Sequence, residues 1–118
     1  VTSGHSPDEF MHQIAGLEQH LREVGRNPNA IEKSWGGHAI VYEDEAKGRQ
    51  RVESRAARRG MTVEQFTNRL ICGTPEQCIE KIEQYVDLGV THFIAMFGRV
   101  DDLRGTRLFA EKVMPAFR

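Results

Sequence analysis

Five histidines, two cysteines and a cluster of arginines carry most of the chemistry this sequence could support, and their spacing limits it. Cys72 and Cys78 stand six apart, one before a helical pattern and one inside it. They share no face and read as buried free thiols. Glu9 and His12 fall on one helical face, but two ligands do not make a zinc or iron centre, so no metal site is expected. His38 follows Gly36-Gly37 near the middle of an extended stretch. There it could orient a substrate or supply a proton, although a structural histidine with its bonds satisfied is the simpler reading. Arg51, Arg55 and Arg58 share a helix face and form a short positive stripe of the kind that can meet nucleic acid. Without interleaved aromatics, a solvated face accounts for them better. GxGxxG, the Walker phosphate loop, CxxC and HExxH are absent.

Two loops have the physics of anion binding. Gly73-Thr74 opens a helix whose free N–H groups and dipole favour negative charge; any capped helix shares that property, and simple capping is the plainer account. Gly98-Arg99 follows an apolar stretch, at the strand C-terminus where α/β folds gather ligand contacts. Arg99 in that position could pair bidentately with a phosphate or carboxylate.

The elements that must position these residues are well punctuated. Ser6, Pro7 and Glu9 mark a helix start, Phe10, Ile14, Leu17, Leu21 and Val24 repeat at helical spacing, and Gly25 stops the run, predicting a helix over 7–24. Residues 33–42 are β-branched and aromatic enough for a strand. The Gly36-Gly37 pair within it suggests a bulge or a close backbone approach. The stretch 44–59 is helical by propensity and poor in apolar residues, with acids at its start and arginines at its end, as the helix dipole favours. It should lie largely wet on the outside. Thr62 with Gln65 and Thr74 with Gln77 form two capping boxes, predicting a short helix near 62–70 and a longer one over 75–88, closed by Gly89. Residues 93–97 are five consecutive apolar positions, read as a strand over 91–97 buried on both faces, as in a parallel sheet. A last helix is expected over 103–118, with Pro115 breaking its final turn.

With 118 residues the chain has room for one small domain. Its apolar set is 39 %, before eleven glycines are added to bring it near the usual 45–50 % or so. Disorder and collagen-like structure are excluded. Sixteen basic against seventeen acidic residues leave a net charge of −1, so no overall field draws the protein to nucleic acid or a membrane surface. No run approaches the ~20 apolar residues of a membrane span, and no signal peptide opens the chain. Two cysteines fit a reducing cytoplasm. The opening Val1-Thr2-Ser3-Gly4-His5, with no initiator Met, reads as a cut through a longer protein. Two strands cannot make a sheet with covered edges, so neighbours are expected from elsewhere: further strands of a larger α/β protein or a second copy.

Several segments together have a familiar order. Val24-Gly25-Arg26-Asn27-Pro28, Glu43-Asp44-Glu45-Ala46, Gly73-Thr74-Pro75-Glu76-Gln77, the strand from Gly89 to Ile94, and the closing Leu108 to Phe117 resemble the C-terminal part of the bacterial luciferase-like monooxygenase family. The resemblance covers nearly the whole chain, 1–118. It implies an α/β fold that is the C-terminal portion of a TIM (β/α)8 barrel, incomplete alone, with strand seven at 33–42, strand eight at 91–97 and residues 44–70 as a helical excursion. It further implies a fragment of an FMN- or deazaflavin-dependent oxidoreductase or monooxygenase acting on a small organic substrate, inactive alone, with no cofactor necessarily bound by this chain. By position, Gly73, Thr74 and Arg99 are the expected cofactor contacts, and Gly37, His38, Met96, Phe97 and Gly98 the expected substrate contacts; no catalytic residue is assigned. A homo-oligomer, or the missing N-terminal part of the barrel, is the expected partner. The alternative is a non-enzymatic α/β module that self-associates or binds a partner protein.

Overall fold

The computed structural model describes residues 2–3, 5–98 and 103–117. Among the described residues there are four strands where the sequence suggests two: β1 (Thr2–Ser3), β2 (Lys33–Val41), β3 (Ile71–Gly73) and β4 (Val90–Met96). All pairings are parallel and all involve β2. Both β1 and β4 pair with Trp35 and Gly36, so they must occupy opposite edges of β2. β3 pairs with its C-terminal end, opposite Ala39 to Val41. The order β1-β2-β4 therefore follows the chain, with helices in each crossover, which is the repeating unit of a β/α barrel.

The helices arise where their punctuation puts them. α1 (Pro7–Glu23) is capped by Ser6, whose hydroxyl accepts from the Glu9 amide at 3.3 Å. Here the reciprocal arm of the capping box is missing. The Glu9 carboxylate instead takes the Ser6 hydroxyl at 3.1 Å, the His5 ring at 3.3 Å and Arg69 Nε at 3.1 Å. A one-turn 3-10 segment, Pro28–Ala30, then leads into β2. α2 (Glu45–Arg58) starts at Asp44, and α3 (Val63–Asn68) and α4 (Pro75–Asp87) carry both arms of their capping boxes. Gly25, Gly60 and Gly89 follow α1, α2 and α4 with φ of 77°, 65° and 98°, a left-handed geometry that other residues adopt at a cost. The final segment is α5 (Arg104–Leu108), a π turn over Phe109–Val113 and a 3-10 turn over Met114–Phe117, not the single helix that 103–118 suggests. Pro115 has no amide hydrogen to continue an α ladder, and the wider turn ahead of it absorbs the misfit.

The two faces of the sheet are unequal. Trp35, Ala39 and Val41 of β2 point toward α1, α4 and the π turn, packing with Phe10, Cys78, Ile82, Tyr85 and Val113. On the other face Ile40 is covered by a smaller cluster of Val52, Ala56, Phe66 and Leu70 from α2, α3 and the following loop. That face is bare elsewhere. β4 corrects the expectation of two-sided burial: Phe93 and Ala95 pack toward the helices, while Ile94 and Met96 are 40 % and 41 % exposed. Among the described residues β4 pairs only with β2, so its apolar run is built for a second layer that these elements do not supply. The Cα radius of gyration, 15.7 Å, exceeds the roughly 13.5 Å of a compact domain this long, in line with that open side. No bulge forms at Gly36-Gly37, the single irregularity lying between Lys33 and Ser34. The two glycines sit mid-strand, buried, beside Ile94 and Ala95 of β4.

The buried aromatics meet at one oxygen. Tyr85 and Trp35 are both 0 % exposed, and each donates to the backbone carbonyl of His5, Tyr85 Oη at 2.6 Å and Trp35 Nε1 at 3.1 Å. Burial pushes the Tyr85 phenol up to about 12, so it remains a donor at neutral pH. In Tyr85→Phe the carbonyl keeps its indole partner and no buried donor is orphaned. Urea unfolding should show a loss of about 1 kcal/mol with an unchanged m-value, the worth of one net hydrogen bond. A second expectation concerns acid. The His5 hydrogen bond, ahead of Ser6 and Arg69, holds the Glu9 carboxyl below the ordinary carboxylate range, against a smaller opposing effect of burial. A lowered folded-state pKa means this stabilisation is complete above the unfolded value and vanishes as pH falls through the folded one. The midpoint of urea unfolding in Glu9→Gln should therefore depend less on pH between about 5 and 3 than that of the parent; parallel curves would remove Glu9 from the acid response.

Candidate functional site

At the C-terminal ends of β2 and β4 lies a half-open cavity of about 690 Å³, roofed by α2 and flanked by α5. Its floor is apolar, from Ala39, Ile40, Val41, Phe97 and Leu108. Phe97 is held edge-on against Phe109, ring centroids 5.3 Å apart. The roof is cationic: Lys47, Arg51 and Arg55 recur every four residues on α2, and Arg104 enters from α5. Two acids share the wall, Glu43 and Asp44. Asp44 is committed to the helix start, its Oδ1 accepting from the Lys47 amide at 3.1 Å.

α2 can lie this close to the strand end because residue 48 has no side chain. Gly48 is buried against Tyr42, and a Cβ there would run into the phenol ring. Tyr42 hydrogen-bonds through its amide to Gly73 O at 3.1 Å, tying the end of β2 to the end of β3. Burial raises the Tyr42 phenol above its ordinary value, so at neutral pH it is an uncharged donor in the wall.

The residues expected to form a site are dispersed. Phe97 lines the cavity. His38 and Met96 face each other across the β2–β4 pair and are both exposed on the bare face of the sheet. Gly37 is buried mid-strand beside Ala95, and exposed Gly98 follows β4 with φ of 83°. Gly73 and Thr74 serve the α4 capping box, where the Thr74 amide donates to Gln77 Oε1 at 3.0 Å. A Cβ on Gly73 would collide with that Gln77 side chain. Neither residue lines the cavity. Arg99 lies outside the described residues. Cys72 and Cys78 are free thiols pushed by burial to about 11 and 12, protonated and unreactive at neutral pH. No cluster of metal-ligating side chains occurs among the described residues. None of their helices is long and apolar enough to cross a membrane.

Sequence reasoning gave Tyr42, Gly48 and Arg104 no part in a site and took Lys47 only as the start of a basic run. It read Arg51 and Arg55 as a solvated face, and Arg51 is indeed exposed and Arg55 half-buried, although both also line the cavity. The available signal was the four-residue spacing of Lys47, Arg51 and Arg55 immediately after a strand.

No family model matches the chain. It is 24 % identical over 140 aligned residues to an F420-dependent glucose-6-phosphate dehydrogenase of Microbacterium testaceum, covering all of this chain and 42 % of that protein. Among solved structures, an F420-dependent secondary alcohol dehydrogenase holding an F420–acetone adduct superposes with a TM-score of 0.78 at 21 % identity. That match takes in 99 % of this chain and 42 % of the other. The coenzyme F420-dependent tetrahydromethanopterin reductase of Methanopyrus kandleri gives a TM-score of 0.66 at 20 % identity, over 96 % and 43 %. The chain thus spans well under half the length of each. Its fold is part of a luciferase-like TIM barrel, and its relatives are F420-dependent dehydrogenases and reductases of the luciferase-like monooxygenase family.

Proposed function

We propose that this chain forms the last three β/α units of a deazaflavin-dependent oxidoreductase acting on a small organic substrate. The observation that carries the reading is the chain-ordered parallel array β1-β2-β4, whose C-terminal ends open on the cavity. TIM barrels gather their chemistry at that end of the strands. Three strands of eight are a little under two fifths of a barrel, in keeping with the 42–43 % of the neighbouring structures covered. A deazaflavin is favoured over FMN because F420 is the coenzyme named for those relatives.

The cavity fits such a group. Its volume lies in the range of small-molecule sites, about 300–1,000 Å³, and it joins an apolar floor to polar donors. Phe97, Ile40 and Val41 would take the ring or the hydrocarbon part of the substrate and exclude water, and Tyr42 and α2 would hold polar groups. When bound, a deazaflavin supplies two-electron hydride chemistry; the protein's part is orientation and desolvation. Gly73-Thr74 and His38 remain candidates for contacts that form only once the rest of the barrel is in place.

The complementary partner in this reading is a segment carrying five further parallel strands, which would cover Ile94 and Met96 and pair with the free edge of β4. A second copy brings three strands and leaves an eight-stranded barrel incomplete. Alone, the chain should self-associate through this face. Sedimentation of the wild type at micromolar concentration is expected to show oligomers, and Ile94→Lys/Met96→Lys a monomer. A monomeric wild type would refute the exposed face as an adhesive surface.

The functional reading is tested by joining this chain to the first five β/α units of the F420-dependent secondary alcohol dehydrogenase. The folded chimera is expected to bind F420, seen as a change in coenzyme fluorescence, and to reduce it with a secondary alcohol. A chimera that folds as a monomer, with native-like circular dichroism, yet leaves the coenzyme spectrum unchanged would overturn the assignment.

A further inference from the structure

The cavity straddles the C-terminal edge of the sheet. Ile40 belongs to the cluster under α2, whereas Ala39, Val41, Phe97 and Leu108 belong to, or pack against, the core on the helix-covered side. Phe97 falls on that side because it continues the alternation of Phe93 and Ala95 one step beyond β4. The helix-side part of the cavity is therefore an apolar recess. Its rim is α5, which passes so close to the strand end that a Cβ on Gly105 would stand 3.7 Å from the Val41 carbonyl oxygen. Behind Phe97 lies Phe109, with the two ring planes at 69°.

Phe109 opens the π turn, and that turn decides what reaches the recess. Leu108 lines the cavity, while Val113, five residues on, is fully buried in the main core. In an α-helix five residues carry a side chain about 140° around the axis, which would swing one of the two away from the interior. The i→i+5 bonding of a π turn returns them to nearly one face, and such single turns occur frequently at functional sites. Val113 thus keeps its place in the core while Leu108 and Phe109 reach the recess.

We propose that Phe97 determines substrate size at this site, its ring closing the recess and limiting the hydrocarbon end a small organic substrate can carry. Phe109, held by the π turn, is a positioning residue that acts through Phe97. An edge-on ring behind it favours one orientation of the Phe97 ring. A substrate one methylene too long must displace both rings, and an apolar pocket discriminates a single methylene by roughly ten- to two-hundredfold. This assignment rests on the reading above for the reaction, whereas the depth of the recess is set by side chains of this chain alone.

The test uses the folded chimera and a series of secondary alcohols lengthened one carbon at a time from isopropanol. Each is followed by kcat/KM for coenzyme reduction and, without coenzyme, by saturation-transfer NMR of the alcohol. Both series should break at one chain length, with a fall of about tenfold or more. Phe97→Ala should move the break to alcohols longer by about two carbons, the room left by the missing ring. If Phe97→Ala loses native circular dichroism, Phe97→Leu makes the same test with a smaller displacement. Phe109→Ala should move the break in the same direction but less, raising KM for the short alcohols with kcat changed by less than about twofold. Phe109→Tyr, which keeps the ring, should restore the parent profile, and Phe117→Ala, an exposed aromatic off the cavity wall, should leave it unchanged. The proposal is overturned if neither series shows a break, if the Phe97 variants slow all alcohols alike without moving it, or if Phe109→Ala leaves it in place. A chimera that turns over without a break removes the role of Phe97 and leaves the oxidoreductase reading standing. One that never takes the coenzyme removes that reading, and the NMR series then decides the recess alone.

Discussion

The backbone carbonyl of His5 accepts from both Trp35 and Tyr85, and the helix-covered half of the structure is organised around that oxygen. Two large side chains with no solvent exposure each bring one polar hydrogen into the core, and a buried donor without an acceptor costs about 1–3 kcal/mol. His5 lies just beyond β1, where the chain turns into α1, so a single acceptor ties the strand order to the helix layer. Around it Phe10, Trp35, Tyr85 and Phe93 pack with ring centroids 5.3–6.3 Å apart, mostly tilted or edge-on, the geometry that aromatic quadrupoles prefer. Specific polar satisfaction and aromatic packing therefore coincide on one face. The opposite face has no counterpart, and its exposed Ile94 and Met96 lie where a closed barrel would place its interior.

That asymmetry explains what was legible in the sequence. Helix ends rest on local chemistry, and Ser6, Thr62, Thr74, Gly25, Gly60 and Gly89 mark them within a residue or two. β1 and β3 are two and three residues long, too short for any periodicity, and exist because β2 offers them backbone partners. Ile71-Cys72-Gly73 consequently reads as a connection. The apolar run of β4 correctly signals a parallel strand, but a run of side chains records what a strand is suited to, not what surrounds it. The chemistry was less legible than the fold. Arg51 and Arg55 lie on a largely wet helix as the sequence suggests, and their place over the strand ends depends on the packing of Gly48 against Tyr42, which no periodicity announces.

The two clusters also differ in depth, which bears on how a ligand would be held. α4 buries Cys78, Ile82 and Tyr85 in the main core, while α2 buries only Gly48, Val52 and Ala56. One valine and one alanine contribute about 2–3 kcal/mol of transfer free energy between them, little for a fourteen-residue helix that must also be ordered. α2 is thus lightly anchored for its length, and it also carries three of the cations that line the cavity. A ligand that recognised only the docked helix would stabilise docking in proportion to the logarithm of its concentration over its Kd. A hundredfold excess over Kd supplies about 2.7 kcal/mol, comparable to everything α2 buries by itself. Gly48 lets the helix sit directly on the Tyr42 ring, which a side chain at 48 would not allow. A deeper core under α2 would make the roof stable without ligand and weaken its response. The sparse apolar content of residues 44–59, which in the sequence predicts a helix lying largely wet on the outside, is matched by a mostly exposed α2 held over the cavity by few buried side chains.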